Sequence, residues 1–152
     1  MYRNILLPLD NSKHSDFCID LGMSLAKGFN SHLTGSHVYA ARLHDNRFKQ
    51  MESGLPEKYQ DEKELQRQRD IHDDLITKGL QVISDSYLDV FEDRCRESAI
   101  SHNRKMMEGK NYLEIVNDVD KNNYDLVIIG FLGLGAVQRT QVGSVCERVV
   151  RR

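Results

Sequence analysis

Asp125–Gly130 reads "DLVIIG" and runs directly into "FLGLGAVQRTQVGSV", Phe131–Val145. After its aspartate the first piece is apolar, rich in strand formers and closed by glycine, which suits a strand buried on both faces better than an alternating surface strand. The second piece is a glycine-rich exit that ends in Gly143-Ser144 at the head of "SVCERVVRR", a last helix starting at about Gly143. A buried strand that leaves through glycines into a helix start is a building unit of parallel α/β sheets.

The rest of the chain repeats that unit. "NILLPLD" predicts a first buried strand over Asn4 to Leu9. "DFCIDLGMSLAKGF" then places Phe17, Leu21, Leu25 and Phe29 at intervals of four, which predicts a helix with that stripe inward and Ser12 or Ser15 as its N-cap. "SHLTGSHVYA" predicts a second strand at about Ser31 to Tyr39. Ala40 to Glu57 has no clear period and contains Pro56, so it reads as a loop or lid. Beyond it Leu65, His72, Leu75, Ile76, Leu80, Ile83, Tyr87, Val90 and Phe91 recur at helical steps, as one amphipathic helix or two stacked ones, with Gly79 a place for a bend. "SAISHNRKMMEGK" is a weak third strand ending at Glu108-Gly109, and "NYLEIVNDVDKNNY" a helix with Asn111 as its cap. The order βαβαβαβα calls for right-handed crossovers and a parallel sheet covered by helices on both faces, a Rossmann-like three-layer α/β/α sandwich.

Composition narrows the function classes. The chain has 152 residues, the size of one domain with a sizeable core. Lys+Arg 21 against Asp+Glu 23 gives a net charge of −2, which argues against nucleic acid or an anionic membrane as partner. The apolar burst at the N-terminus is too short for a signal-peptide core or a membrane span, so a cytoplasmic protein is expected. Cys18, Cys95 and Cys146 form no CxxC pair and predict neither a disulfide framework nor a zinc knuckle. The histidines are scattered; His14, His72 and His102 read as surface groups and His37 as a core or pocket-wall residue.

In a sheet of this kind ligands bind beyond the carboxyl ends of the strands. Two loops fall there: "PLDNSKHS" after the first strand and the glycine run after the fourth. The latter is spaced Gly130, two residues, Gly133, nine residues, Gly143-Ser144. Glycines let backbone N–H groups close on phosphate oxygens, and a helix start adds free amides and a favourable dipole. A strand exit that needs glycine for geometry alone is the competing reading of this loop, as a turn aspartate is for Asp10. GxxxxGK[ST] is absent, and Gly133-Leu134-Gly135 is followed by Ala136-Val137-Gln138, so neither a P-loop nor a redox-type GxGxxG is present.

The G-x2-G-x9-G-S pattern, between "DLVIIG" and "GSVCERVV", resembles the ATP-binding branch of the universal stress protein family. "ILLPLDNSKHS" is similar to that family's first strand and aspartate-serine turn, and "HVYA" to the end of its second strand. The resemblance implies the adenine nucleotide alpha hydrolase-like version of the sandwich. It also implies a site for ATP with Mg²⁺: Asp10 beside the ribose and phosphates, Pro8 and Leu9 along the adenine pocket, and Val38 near the base. Gly130, Gly133, Gly143 and Ser144 would hold phosphates, with Val145 extending the helix start. A nucleotide-responsive regulatory domain, homodimeric or docked on a partner domain, is the implied function, with slow ATP hydrolysis at most and no general base in view. SGGxDS and HIGH signatures of related adenylyl-transferring enzymes are absent.

The sequence departs from the family pattern in two places. Phe131, Leu132 and Leu134 stand where the loop usually carries small or charged residues; they either narrow the phosphate site or dock on a partner, the latter making this an interaction domain that binds no nucleotide. The family's fifth strand, which often pairs across a dimer, has no counterpart after "ERVVRR", so residues 1–152 are expected to be a single domain that is truncated or part of a longer, tandem protein.

Overall fold

The computed structural model describes residues 1–134 and 142–152. Its elements in chain order are β1 (Asn4–Pro8), α1 (Lys13–Phe29), β2 (His32–Tyr39), α2 (Asp45–Glu52), α3 (Glu62–Glu97), β3 (His102–Glu108), α4 (Asn111–Lys121), β4 (Leu126–Val127) and α5 (Ser144–Val150). The strands lie in the order β3-β2-β1-β4, every pair parallel. Ile5 aligns with Leu33 on one side and Leu126 on the other, which makes β1 and β2 the central strands.

Alternation along β1 divides the core. Ile5, Leu7 and Leu9 face α1 and α3, where they meet Cys18, Ile19, Ala26, Leu88, Phe91 and Cys95. Leu6 faces α4 and α5 with Val38 and Ile115, and Val127, Ile129, Val145 and Val149 pack around them. The sandwich is therefore three-layered, as the element order implies.

The inward face of α1 differs from the predicted one. Phe17 and Leu21 are 66% and 51% exposed, whereas Ser15, Cys18, Ile19, Gly22 and Ala26 are buried. Cys18, Gly22 and Ala26 follow one another at steps of four, and a Cβ on Gly22 would lie 3.0 Å from Leu7 Cδ1. Small residues bring this helix close to the sheet, and the larger ones are left at its margins. Ser12 is the N-cap, accepting from Ser15 N–H.

The segment read as a loop or lid instead holds α2, flanked by short 3-10 turns at Ala41–Leu43 and Glu57–Tyr59. Its sequence "DNRFKQME" carries almost no apolar stripe. Polar contacts with α3 fix it: Arg69 forks onto both Glu52 oxygens (2.6 and 2.8 Å), and Phe48 stacks on His72 with ring centroids 4.1 Å apart.

α3 is a single helix of 36 residues that runs through Gly79, capped by Asp61, so it spans roughly 54 Å. Its C-terminal half docks on the sheet, through Ser84, Leu88, Phe91 and Cys95, while Leu75, Ile83 and Val90 of the predicted face are exposed. Lys110, not Asn111, caps α4, which begins at Asn111. The weakly signalled β3 is a full seven-residue strand. The ladder of β4 covers only Leu126–Val127, because after one further bond, Ile128 N–H to the Leu6 carbonyl (2.9 Å), the chain turns away toward the loops beyond the sheet.

Candidate functional site

β1 leaves the sheet through a turn built from "LDNS". Asn11 takes a left-handed conformation (φ 60°), which asparagine tolerates better than most residues. That turn directs the Asp10 carboxylate back over the loop: one oxygen accepts from Ser12 N–H (3.1 Å) and from the Ser15 hydroxyl (2.8 Å). The other accepts from Leu134 N–H (2.9 Å). The Ser12 hydroxyl also donates to the Leu132 carbonyl (3.3 Å), so the first-strand loop and the glycine loop are tied at two points. Burial pushes the Asp10 pKa up, but the hydrogen bonds from Ser12, Leu134 and Ser15 outweigh it and hold the carboxyl below its ordinary value. Asp10 is thus ionised at neutral pH, with its charge spent on holding the two loops together.

The three glycines of this loop are approached closely by neighbouring residues. A Cβ on Gly133 would stand 2.6 Å from Asp10 Oδ2, one on Gly130 3.1 Å from His14 Cβ, and one on Gly143 3.0 Å from the Phe131 carbonyl oxygen. Among the described residues the only glycine with positive φ is Gly109, so contact and not backbone conformation disfavours a side chain at these three positions, most strongly at Gly133. Gly143 N–H donates to the Phe131 carbonyl (2.8 Å) and closes the base of the loop. Of the stretch between Gly133 and Gly143, residues 135–141 lie outside the described residues.

These groups surround a cleft of about 380 Å³ at the carboxyl ends of β1, β2 and β4. Pro8, Leu9, Asp10, Val38, Gly130, Gly133, Gly143, Ser144 and Val145 all line it. Its walls also include residues that the sequence reading missed. Ile115 and Ile129 extend the apolar wall; Ser15, Ser36, Asn111 and Cys146 add polar groups. Ser36 shares the strand face of Val38 two positions on, a period-2 signal that was available in "GSHV". His37 lines the cleft as well, its Nδ1 hydrogen-bonded to the Leu9 carbonyl (2.6 Å) and its ring edge-on to Tyr87.

Of the bulky loop residues, Leu132 lines the cleft, and Phe131 and Leu134 are 49% and 61% exposed. The Ser36 hydroxyl is buried without a hydrogen-bond partner among the described residues. Outside the cleft, Asp45, His72 and Asp73 bring one potential ligand atom each to within 4.8 Å of one another at the α2–α3 corner. Among the described residues no helix is long and apolar enough to cross a membrane.

Chemically the cleft has an apolar portion, made by Pro8, Leu9, Val38, Ile115 and Ile129, that suits a flat heterocycle. Its other end, at Gly130, Gly133 and Ser144, exposes backbone and a hydroxyl, which suits an anion. Three comparisons bear on what kind of protein carries such a site. A universal stress protein of Methanocaldococcus jannaschii is 27% identical over 99% of this chain and 77% of its own length. Universal stress protein UspA from Lactobacillus plantarum shares the fold with a TM-score of 0.73 at 18% identity, covering 99% of this chain and 91% of that one. A universal stress protein solved in complex with cAMP superposes with a TM-score of 0.60 at 19% identity, covering 99% of this chain and 90% of that one. The model of the universal stress protein family matches residues 1–152, from the first strand through the glycine loop to the last helix, and the chain belongs to that family.

Proposed function

We propose that the cleft binds an adenine nucleotide, ATP foremost, and that the protein is a nucleotide-responsive regulatory module in a stress response. The observation that carries this reading is the contact between Gly133 and Asp10, where a side chain on the glycine would collide with the carboxylate at 2.6 Å. It keeps the loop's backbone bare over a cleft that a nucleotide's two chemical halves fit. The base is assigned to Pro8, Leu9, Val38 and Ile115, and the phosphates to the backbone of Gly130 and Gly133 and to Ser144, with Gly143 closing the loop base on Phe131 and Val145 behind them.

The donor set also fits Mg²⁺, in a particular way. The Asp10 carboxylate is already engaged by Ser12, Ser15 and Leu134. Ser144 is the exposed oxygen at that end of the cleft. A magnesium ion would therefore be carried by the phosphates and Ser144, with Asp10 acting through the loop it positions. Occupancy would set the conformation of the Gly130–Ser144 loop and through it bias homodimer formation or the choice of partner domain.

A second reading keeps the fold without the ligand: an interaction domain that docks through the exposed Phe131 and Leu134. Mass spectrometry of nucleotide released from freshly purified protein, followed by melting with and without ATP and Mg²⁺, separates the two. At a ligand concentration of about 100 Kd the expected stabilisation is roughly 2.7 kcal/mol, or about 5–10 °C for a domain of this size. No released nucleotide and no shift at millimolar ATP favours the interaction domain.

A further inference from the structure

Two cations stand where α4 and α5 meet, at the edge of the cleft. Lys110 Nζ lies 5.2 Å from the Tyr112 ring centroid and Arg148 Cζ lies 4.9 Å from the same centroid. Among the described residues neither forms an ion pair, although Lys105 of β3 is bonded to Asp118 and Arg151 of α5 to Glu147. Each cation is held over the ring by cation–π attraction, which leaves its charge available to an anion at the rim.

Their place in the fold connects them to the cleft. Lys110 caps α4 directly before Asn111, a lining residue, and Arg148 follows the lining residue Ser144 by four positions, on the same face of α5. The cleft itself is lined by no lysine or arginine among the described residues, and its one carboxylate, Asp10, is occupied. Backbone N–H groups and Ser144 can hold one phosphate. The charge of further phosphates has to be met at the rim.

We infer that Lys110 and Arg148, held by Tyr112, are a charge-reading rim that makes the site prefer nucleoside di- and triphosphates to mono- and cyclic monophosphates. The inference rests on the nucleotide reading above and specifies which class of nucleotide that site takes. Exposed ion contacts of this kind contribute a few-fold each in affinity, on the order of tenfold for the pair, and are weakened by salt.

The test is calorimetric titration of the whole chain with AMP, cyclic AMP, ADP and ATP, at low and high salt. It is repeated for Lys110→Met, Arg148→Met and the double variant; both side chains are exposed, so folding is not at stake. The expected result is affinity rising from AMP through ADP to ATP in the unaltered protein. In the double variant ATP weakens about tenfold and AMP is unchanged. High salt mimics the substitutions, and Lys110→Arg with Arg148→Lys restores the preference. Equal affinity for AMP and ATP in the unaltered protein overturns the rim while leaving nucleotide binding standing, as does a double variant that retains the ATP preference or loses AMP equally. Failure of every nucleotide to bind overturns the nucleotide reading and the rim with it.

Discussion

The Asp10 carboxylate accepts a hydrogen bond from the backbone N–H of Leu134 across 124 positions of sequence, at 2.9 Å. With the Ser12 and Ser15 bonds to its other oxygen, this makes one side chain the clasp between the loops on either side of the cleft. Asp10→Ala removes the acceptor and leaves the Leu134 amide and Ser15 hydroxyl to find water. Bonds to a charged group contribute roughly 1.5–3 kcal/mol when buried, and this half-exposed one is discounted to about 1 kcal/mol. The expected variant has unchanged far-ultraviolet circular dichroism, a melting point a few degrees lower and no response to ATP. An undiminished ATP response would remove Asp10 from the site.

The same carboxylate gives a pH dependence whose sign follows from its depressed pKa. Its folded value lies below 3.8, so the stability it contributes is present above the unfolded value of about 3.9 and is lost as pH falls through the folded one. Asp125, whose pKa is lowered by the Asn4 and Arg3 backbone N–H groups at 2.8 and 2.7 Å, acts in the same direction. Urea midpoints of the parent and Asp10→Asn should differ by a constant amount from about pH 7 to about pH 5, begin to converge below about pH 4 and meet only once pH has fallen through the folded value. A gap that persists into acid would mean that a neutral hydrogen bond, not the charge, holds the loop.

Gly133→Val places a Cβ 2.6 Å from Asp10 Oδ2. The clasp opens, and the expected outcome is loss of nucleotide-induced stabilisation with little change in the helical content. Gly28 serves as the control, because a Cβ there would meet nothing within 4 Å beyond its own helix. Gly28→Ala, within α1, should raise stability by roughly 0.5–1 kcal/mol and keep the full ATP response. Parallel thermal shifts of the two variants check both halves of the statement.

Cys146 lines the cleft, whereas Cys18 and Cys95 are buried. Burial pushes the Cys18 and Cys95 thiols up to about 11; Asp10 and, less, Cys146 raise Cys18 further, while at Cys95 the Arg94 charge pulls the value back by more than Glu92 raises it. At neutral pH those two hold almost no thiolate and react slowly. Alkylation of the native protein should therefore modify Cys146 first, and saturating ATP should slow that modification severalfold. Peptide mapping by mass spectrometry reads the outcome; protection that is absent while ATP is bound would place the nucleotide away from α5.

How much of this was legible in the chain differs between its parts. The exits of β1 and β4 were readable because their chemistry is local: proline and aspartate close one strand, glycine the other, and each loop's residues converge wherever a parallel sheet forms. The packing of the helices was not, because hydrophobicity is a poor guide where a helix approaches a sheet closely. In α1 the large residues Phe17 and Leu21 lost the inward face to Cys18, Gly22 and Ala26. In α3 the apolar period continues past the point where the sheet ends, so Leu75 repeats the pattern with nothing to cover it. α2 was hidden for the opposite reason, since an Arg69–Glu52 fork and a Phe48–His72 stack leave no periodic trace. Asp10 was identifiable as the aspartate of the β1 exit, where it lines the cleft, but its partner Leu134 contributes only a backbone N–H, which no side-chain pattern reports.

Gly35 illustrates a glycine that belongs to the core and not to the site. It lies within β2, paired to Leu7 and Arg104, and a Cβ there would stand 2.5 Å from Phe91 Cδ1. Phe91 is fully buried and is the aromatic anchor by which the C-terminal half of α3 seats on the sheet. Gly35→Ala forces that ring out of its packed position, and overpacking of this kind costs roughly 1–3 kcal/mol. Phe91→Leu, made in the same background, frees the space that the ring's edge occupies and should recover part of the loss. A double-mutant cycle by urea denaturation is the measurement: the expected coupling is favourable and about 1 kcal/mol, whereas strictly additive effects would mean that α3 is seated by Leu88 and Cys95 without the Phe91–Gly35 contact.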